Sequence, residues 1–247
     1  MSVAPPLTIT NGLVVGTQGA RRPGGVRCEN GHIVAVGEVF PRADDRIYDA
    51  GGKLIAPGLV DLGVFAIDKP AFHFGGITRA ALMPDQDPPL ERPARVRFAA
   101  YSGKPDLWVH PLGAATAGMA GEQLAEIALM RDAGARAIAT GRRWIADSGV
   151  MLRVLHYAAM LDMVVVSHAE DAGLACGAVA TAGEMATRPG LPGAPAEAEA
   201  LAVSRDIALA EIAGARLHFR NVTTARALDL VRAAKHRGLK ITAGVNP

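Results

Sequence analysis

Four side chains carry most of what this sequence offers for chemistry. His168 stands in Ser167-His168-Ala169-Glu170-Asp171, directly after the apolar run Met163–Ser167. His73, His110 and Asp85 are further metal-ligand types close to other apolar runs. An imidazole with carboxylates nearby suits a catalytic zinc, which polarises a carbonyl and lowers the pKa of a bound water. Such a zinc takes about three protein ligands and keeps a fourth position open. The spacing of His73, Asp85, His110 and His168 forms no recognised ligand set. Taken by itself, a single histidine at a strand end is a hydrogen-bonded structural residue. Cys28 and Cys176 lie far apart and outside any Cys-x-x-Cys pattern, so neither a disulfide framework nor a structural zinc site is indicated. Both are expected to be inert buried thiols. Arg142-Arg143 reads as a short solvated basic patch. Gly24-Gly25 and Gly75-Gly76 fit no phosphate-binding loop and read as turns.

The elements that must position these groups change character along the chain. Residues 7–50 hold short apolar runs at Leu7–Ile9, Leu13–Val15, Val26–Glu29, His32–Val36 and Arg46–Asp49. Turn signals separate them at Asn11-Gly12, Pro23-Gly24-Gly25 and Asn30-Gly31. After Ala56-Pro57-Gly58, strand-like runs alternate with helical patterns. The strands are expected at Leu59–Phe65, Ile77–Met83, Asp106–His110, Ala135–Ala139, Met163–Ser167, Arg216–Asn221 and Lys240–Val245. The helices are expected at Gly121–Ala133, Val150–Asp162, Ala194–Ala213 and Thr224–Arg237. This alternation predicts an α/β fold, a (β/α)8 barrel of parallel strands with helices outside. The division is a small N-terminal β-sandwich portion over 1–56 and a partial barrel over 57–247. The barrel is expected to be incomplete, because an eighth strand is missing before Pro247 and the gap from Phe65 to Ile77 is too short for a full barrel helix.

Composition narrows the function classes. The 247 residues are 50% hydrophobic and 20% charged, which excludes wholesale disorder. Net charge is 26 − 24 = +2 with the basic residues scattered, so nucleic acid is not the expected partner. Mean hydropathy is high at +0.20, yet no apolar run nears the ~20 residues of a membrane span. The N-terminus MSVAPPLTIT lacks the basic and apolar regions of a secretory leader, and the expected location is cytoplasmic.

Several segments resemble the long-chain dihydroorotases of the amidohydrolase superfamily. They are LIAPGLVDL (54–62), MPDQDP (83–88), HPLGAAT (110–116), SHAED (167–171), GLPGAPAEAEALAVSRDIALAE (190–211) and VTTARALDLVRAAKHRGLKITAGV (222–245). The resemblance implies a metal-bearing (β/α)8 barrel whose active members interconvert carbamoyl-aspartate and dihydroorotate in pyrimidine synthesis. It also implies where this chain departs from an active member. The strand-one His-x-His pair of metal ligands corresponds to Gly63 and Phe65. The carboxylate-binding arginine corresponds to Ile67, and the substrate-binding asparagine to Asp85. The acidic or carboxylated ligand after strand four falls at Thr140 and Gly141, and the strand-six histidine at Asn221. The strand-eight aspartate falls beyond Pro247. Only the strand-five histidine remains, as His168, a vestigial metal position. No catalytic or substrate-binding residue and no bound zinc are therefore expected. The family also contains inactive members that act as structural subunits of aspartate carbamoyltransferase. The expected partners are that enzyme or a second copy of this chain. The alternative is a metal-dependent dihydroorotase or other cyclic-amide hydrolase with a rebuilt site, using His168 with His73, His110 or Asp85.

Overall fold

The computed structural model describes residues 5–16 and 19–245. The chain divides into two compact units, Met1–Gly58 and Leu59–Pro247.

In the first unit, β1 (Leu7–Val15), β2 (Arg21–Glu29), β3 (His32–Gly37), β4 (Arg46–Asp49) and β5 (Leu54–Ile55) form one sheet. The order is β3-β2-β1-β4, with β5 also on β1. Asn30-Gly31 makes the expected hairpin, with φ of 52° and 77°. Asn11-Gly12 does not. β1 runs through it, and the register to β2 shifts between Ile9 and Gly12, which marks a bulge rather than a reversal. Pro23-Gly24-Gly25 is also no turn but lies inside β2. A Cβ on Gly24 would stand 2.7 Å from the Gly37 carbonyl oxygen, so close strand approach is what requires glycine there. Asp45 closes this unit. Its carboxylate accepts from Arg27 Nε and Nη2 at 2.9 Å each and from Thr8 Oγ1 at 2.6 Å. The guanidinium holds the Asp45 carboxyl well below the usual carboxylate range.

The second unit is a curled parallel sheet of seven strands with helices on one face. The strands are β6 (Leu59–Val64), β7 (Ile77–Leu82), β8 (Trp108–Ala114), β9 (Ala137–Ala139), β10 (Val164–Ser167), β13 (Arg216–Phe219) and β14 (Ile241–Ala243). They lie side by side in sequence order, β6-β7-β8-β9-β10-β13-β14, as in a partial (β/α)8 barrel. Between them run α1 (Lys69–Phe74), α2 (Pro93–Tyr101), α3 (Ile127–Asp132), α4 (Ser148–Met160), α6 (Glu197–Ala213) and α7 (Ala225–His236). A small pair, β11 (Ala180–Thr181) and β12 (Gly193–Ala194), and α5 (Glu184–Thr187) precede α6.

Alternation along the strands builds two cores. Val165, Leu217 and Phe219 face the helices and pack with Val154, Leu155, Val203 and Ile207. Val166, Leu112, Ala137, Ala139 and Met83 form a separate inner cluster, with Phe65 packed against it. A barrel interior filled by side chains has this form.

Several expectations are corrected by the backbone. β8 continues to Ala114, so His110 is not at a strand end. It lies mid-strand, in register with Ala81. The gap after Phe65 holds only the six-residue α1, well short of a full barrel helix as expected, and its Asp68 cap accepts from Ala71 N at 3.1 Å. α3 begins at Ile127 rather than Gly121, because Gly121 adopts a φ of 80°. α2 went unseen because Arg92, Arg95 and Arg97 obscure a short apolar stripe at Val96 and Ala99. Cys176 is exposed, not buried. Among the described residues no helix is long and apolar enough to cross a membrane.

Within this sheet β6 and β14 each have a strand neighbour on one side only. Leu59, Val60 and Leu62 of β6 are more than half exposed. Unpaired edges carrying apolar side chains recruit further chains. The 247-residue chain is therefore expected to self-associate, as read by light scattering at tens of micromolar. A sharply monomeric species with cooperative melting would contradict this.

Candidate functional site at the strand ends

The C-terminal ends of β6, β7, β9, β10 and β13 converge on one small region. In a parallel barrel this is where chemistry is placed. Phe65 follows β6, Asp85 follows β7, Thr140-Gly141-Arg142 follow β9, His168 follows β10 and Arg220-Asn221 follow β13.

Backbone anchors hold each end in place. Gln86 donates from Nε2 to the Phe65 and Met83 carbonyls, at 3.0 and 3.1 Å, and so ties β6 to β7. Thr140 Oγ1 accepts from the His168 amide at 3.0 Å, and Arg220 N donates to Ser167 O at 2.9 Å. Ser167 is fully buried. Its hydroxyl donates to Asp206 on α6 at 2.9 Å. Arg205 binds the other Asp206 oxygen through Nε at 2.9 Å and reaches the Ile145 and Ala146 carbonyls at 2.8 and 2.9 Å. The Arg205 guanidinium also stacks on Trp144, 3.8 Å from the ring centre.

Of the sequence-predicted ligands, the structure places His168 and Asp85 at this centre. His168 is about one quarter exposed, and its Nδ1 is buried with no hydrogen-bond partner. Burial pushes its pKa below the ordinary value and outweighs the opposing pull of Glu170, so the ring is neutral at pH 7. Asp85 sits across the site. Its Oδ1 accepts from the Arg142 amide at 2.9 Å, while its Oδ2 is buried and unpartnered. His110 lies within β8 beside Arg79, 3.4 Å from its guanidinium. His73 is exposed on α1. Of the four residues named from sequence, His168 and Asp85 share this centre, and His73 and His110 do not.

The family-derived positions do not fit a metal either. Gly63 offers no donor. A Cβ there would stand 3.4 Å from Arg220 Cδ and 3.7 Å from Arg220 Nη1, so an arginine occupies the space a ligand would use. Phe65 presents a ring to two guanidiniums, Arg142 and Arg220, whose carbons lie 3.8 and 4.9 Å from its centre. A side chain at position 141 would collide with Met119, and its Cβ would stand 2.8 Å from Asp85 Oδ1. Gly141 also has a left-handed φ of 76°, which disfavours any carboxylate or lysine replacement. Thr140 is committed to the His168 backbone. Ile67 packs into the apolar cluster of Leu82, Leu90 and Leu107 and supplies no carboxylate clamp. Among the described residues no three His, Cys, Asp or Glu side chains are grouped to hold a metal ion. The residues present do not suit zinc.

Sequence reasoning missed Arg220. Its only signal was a basic residue at the end of an apolar strand, one position before Asn221.

The arrangement is that of an amidohydrolase-type barrel, and comparison with known proteins agrees. A family model described as dihydro-orotase-like matches residues 52–227, and this chain belongs to that family. It is 40% identical over 232 residues to a dihydroorotase of Pelotomaculum thermopropionicum, covering 88% of this chain and 54% of that protein. It is 37% identical over 238 residues to a dihydroorotase-like protein of Pseudomonas putida, covering 88% of this chain and 55% of that one. The chain thus spans little more than half the length of these relatives. The fold is shared with an L-hydantoinase (dihydropyrimidinase) from Arthrobacter aurescens, with a TM-score of 0.80 at 21% identity over 98% of this chain and 58% of that one.

Two outcomes follow from this geometry. Asp206→Ala leaves Ser167 and Arg205 without their buried partner, and should cost about 3–5 kcal/mol by chemical denaturation. Near-wild-type stability would show that the network is dispensable. His110, His168 and His218 all have pKa values lowered by burial. A depressed histidine adds stability above its unfolded pKa, near 6.5, that is lost as pH falls through the folded value. Melting temperature should therefore fall from pH 7.5 to pH ~5, and His168→Gln should flatten that slope.

Proposed function

We propose that this chain is a non-catalytic dihydroorotase-like protein, linked to pyrimidine synthesis, that serves as a structural partner of aspartate carbamoyltransferase. The observation that carries the non-catalytic part is the Arg220 guanidinium beside Gly63, with Phe65 in the second ligand position. A fixed positive charge where a metal would sit repels a divalent cation at short range. The clamp position at Ile67 is apolar. Catalysis that depends on metal, clamp and base acting as a unit does not survive piecemeal loss. The partner assignment rests on the family resemblance.

A second reading, a cyclic-amide hydrolase with a rebuilt metal site, draws on the unpartnered His168 Nδ1 and Asp85 Oδ2. Elemental analysis and a carbamoyl-aspartate assay separate the two. The expected result is less than one equivalent of zinc, background turnover, and co-purification of aspartate carbamoyltransferase from the native host. Stoichiometric zinc that resists mild chelation, with turnover, would establish the second reading.

Gly63→His and Phe65→His should raise zinc uptake only when Arg220→Ala also clears the space beside position 63, since two imidazoles with His168 then supply three nitrogen ligands. Turnover should stay at background, because Ile67, Gly141 and Asn221 are unchanged. Turnover from those changes alone would overturn the non-catalytic reading.

A further inference from the structure

Two guanidiniums at the strand ends have no counter-charge bound to them. Arg142 and Arg220 both lie over the Phe65 ring. Neither guanidinium makes a hydrogen bond or ion pair to a protein acceptor among the described residues, and Arg220 Nε is buried with no partner. By contrast, Arg27, Arg205, Arg226, Arg232 and Arg237 all sit in ion pairs. Asp85 is the carboxylate nearest the pair. It directs Oδ1 to the Arg142 backbone amide rather than to either guanidinium. Arginine stays protonated even where burial disfavours it, so two cations lie against one aromatic ring and leave their forks of N–H donors unused. Such forks match the paired oxygens of a carboxylate or phosphate.

We propose that Arg142 and Arg220, held over Phe65, form a binding site for a small oxyanion whose oxygens accept from both guanidiniums. The site takes the place of a metal centre and has the opposite sign of charge. Phe65 fixes both forks by stacking, which limits the side-chain entropy lost on binding. The inference goes beyond the non-catalytic reading and stands apart from it, since anion uptake is measured without turnover or zinc.

The test is isothermal titration of the protein with inorganic phosphate and, separately, with succinate, at constant ionic strength. Saturable binding of one equivalent of either anion is expected, and the arm that saturates distinguishes phosphate from carboxylate chemistry. Arg220→Gln and Arg142→Gln should each weaken it about tenfold or more, the loss of one charge-assisted contact. Arg142 is exposed, so its variant keeps the test intact if Arg220→Gln fails to fold. Arg143→Gln, one residue along, should bind as the wild type does. The proposal is overturned if neither anion binds saturably, if Arg142→Gln binds unchanged, or if Arg143→Gln weakens binding as much as its neighbour.

Discussion

The strand ends depend on one buried carboxylate. Asp206 lies on α6 with no solvent exposure, and it joins the helix layer to the tip of β10 through Ser167. Burial raises its pKa, while Arg205 pulls the other way. A charge in such a position is tolerable only when each oxygen is matched, and here Ser167 and Arg205 take one each. Arg205 in turn binds the loop carbonyls of Ile145 and Ala146, just past the end of β9. The end of β10 is therefore fixed from the helix side. His168, the next residue, is held from the sheet side by Thr140. That bond fixes its backbone, while its Nδ1 is buried without a partner.

That scaffold surrounds a centre of altered character. The residues beneath and around it are those of a packed barrel, with Met83, Leu112 and Val166 filling the interior. The centre itself has exchanged ligands for an aromatic ring and two arginines. The change in charge matters more than the loss of any one donor. A vacated metal site that merely lacked histidines would still attract cations through Asp85. With Arg220 lying against Gly63 the same space attracts anions.

Much of the barrel was legible in the sequence, because continuous apolar runs such as Met163–Ser167 report strands buried on both faces. The long helices α4, α6 and α7 were equally clear from their apolar spacing. Short elements were less so. α1 and α2 are six and nine residues long and start at prolines or charged residues rather than at an apolar stripe. Asn11-Gly12 carried a hairpin signal but supplies a bulge, since Ile55 and Ala50 pack against the glycine and hold β1 straight through. At the centre, the positions that the family uses for ligands could be assigned through the resemblance. What filled their places could not be. Arg220 precedes its strand-six marker by one residue, and only the pleat of β13 decides which way a side chain at that position projects.

Gly63 and Arg220 also constrain each other's history. A methyl at position 63 would touch the Arg220 side chain at 3.4 Å, an ordinary contact, but anything longer would have to displace it. Alanine is thus the largest residue the present rotamer admits without rearrangement. Once an arginine had settled into that space, a return to a ligand at 63 became contingent on first removing the arginine. The two positions act as one unit: a residue larger than alanine at 63 is accommodated only together with a change at 220. Sequence drift at position 63 should therefore be confined to glycine and alanine for as long as position 220 remains arginine.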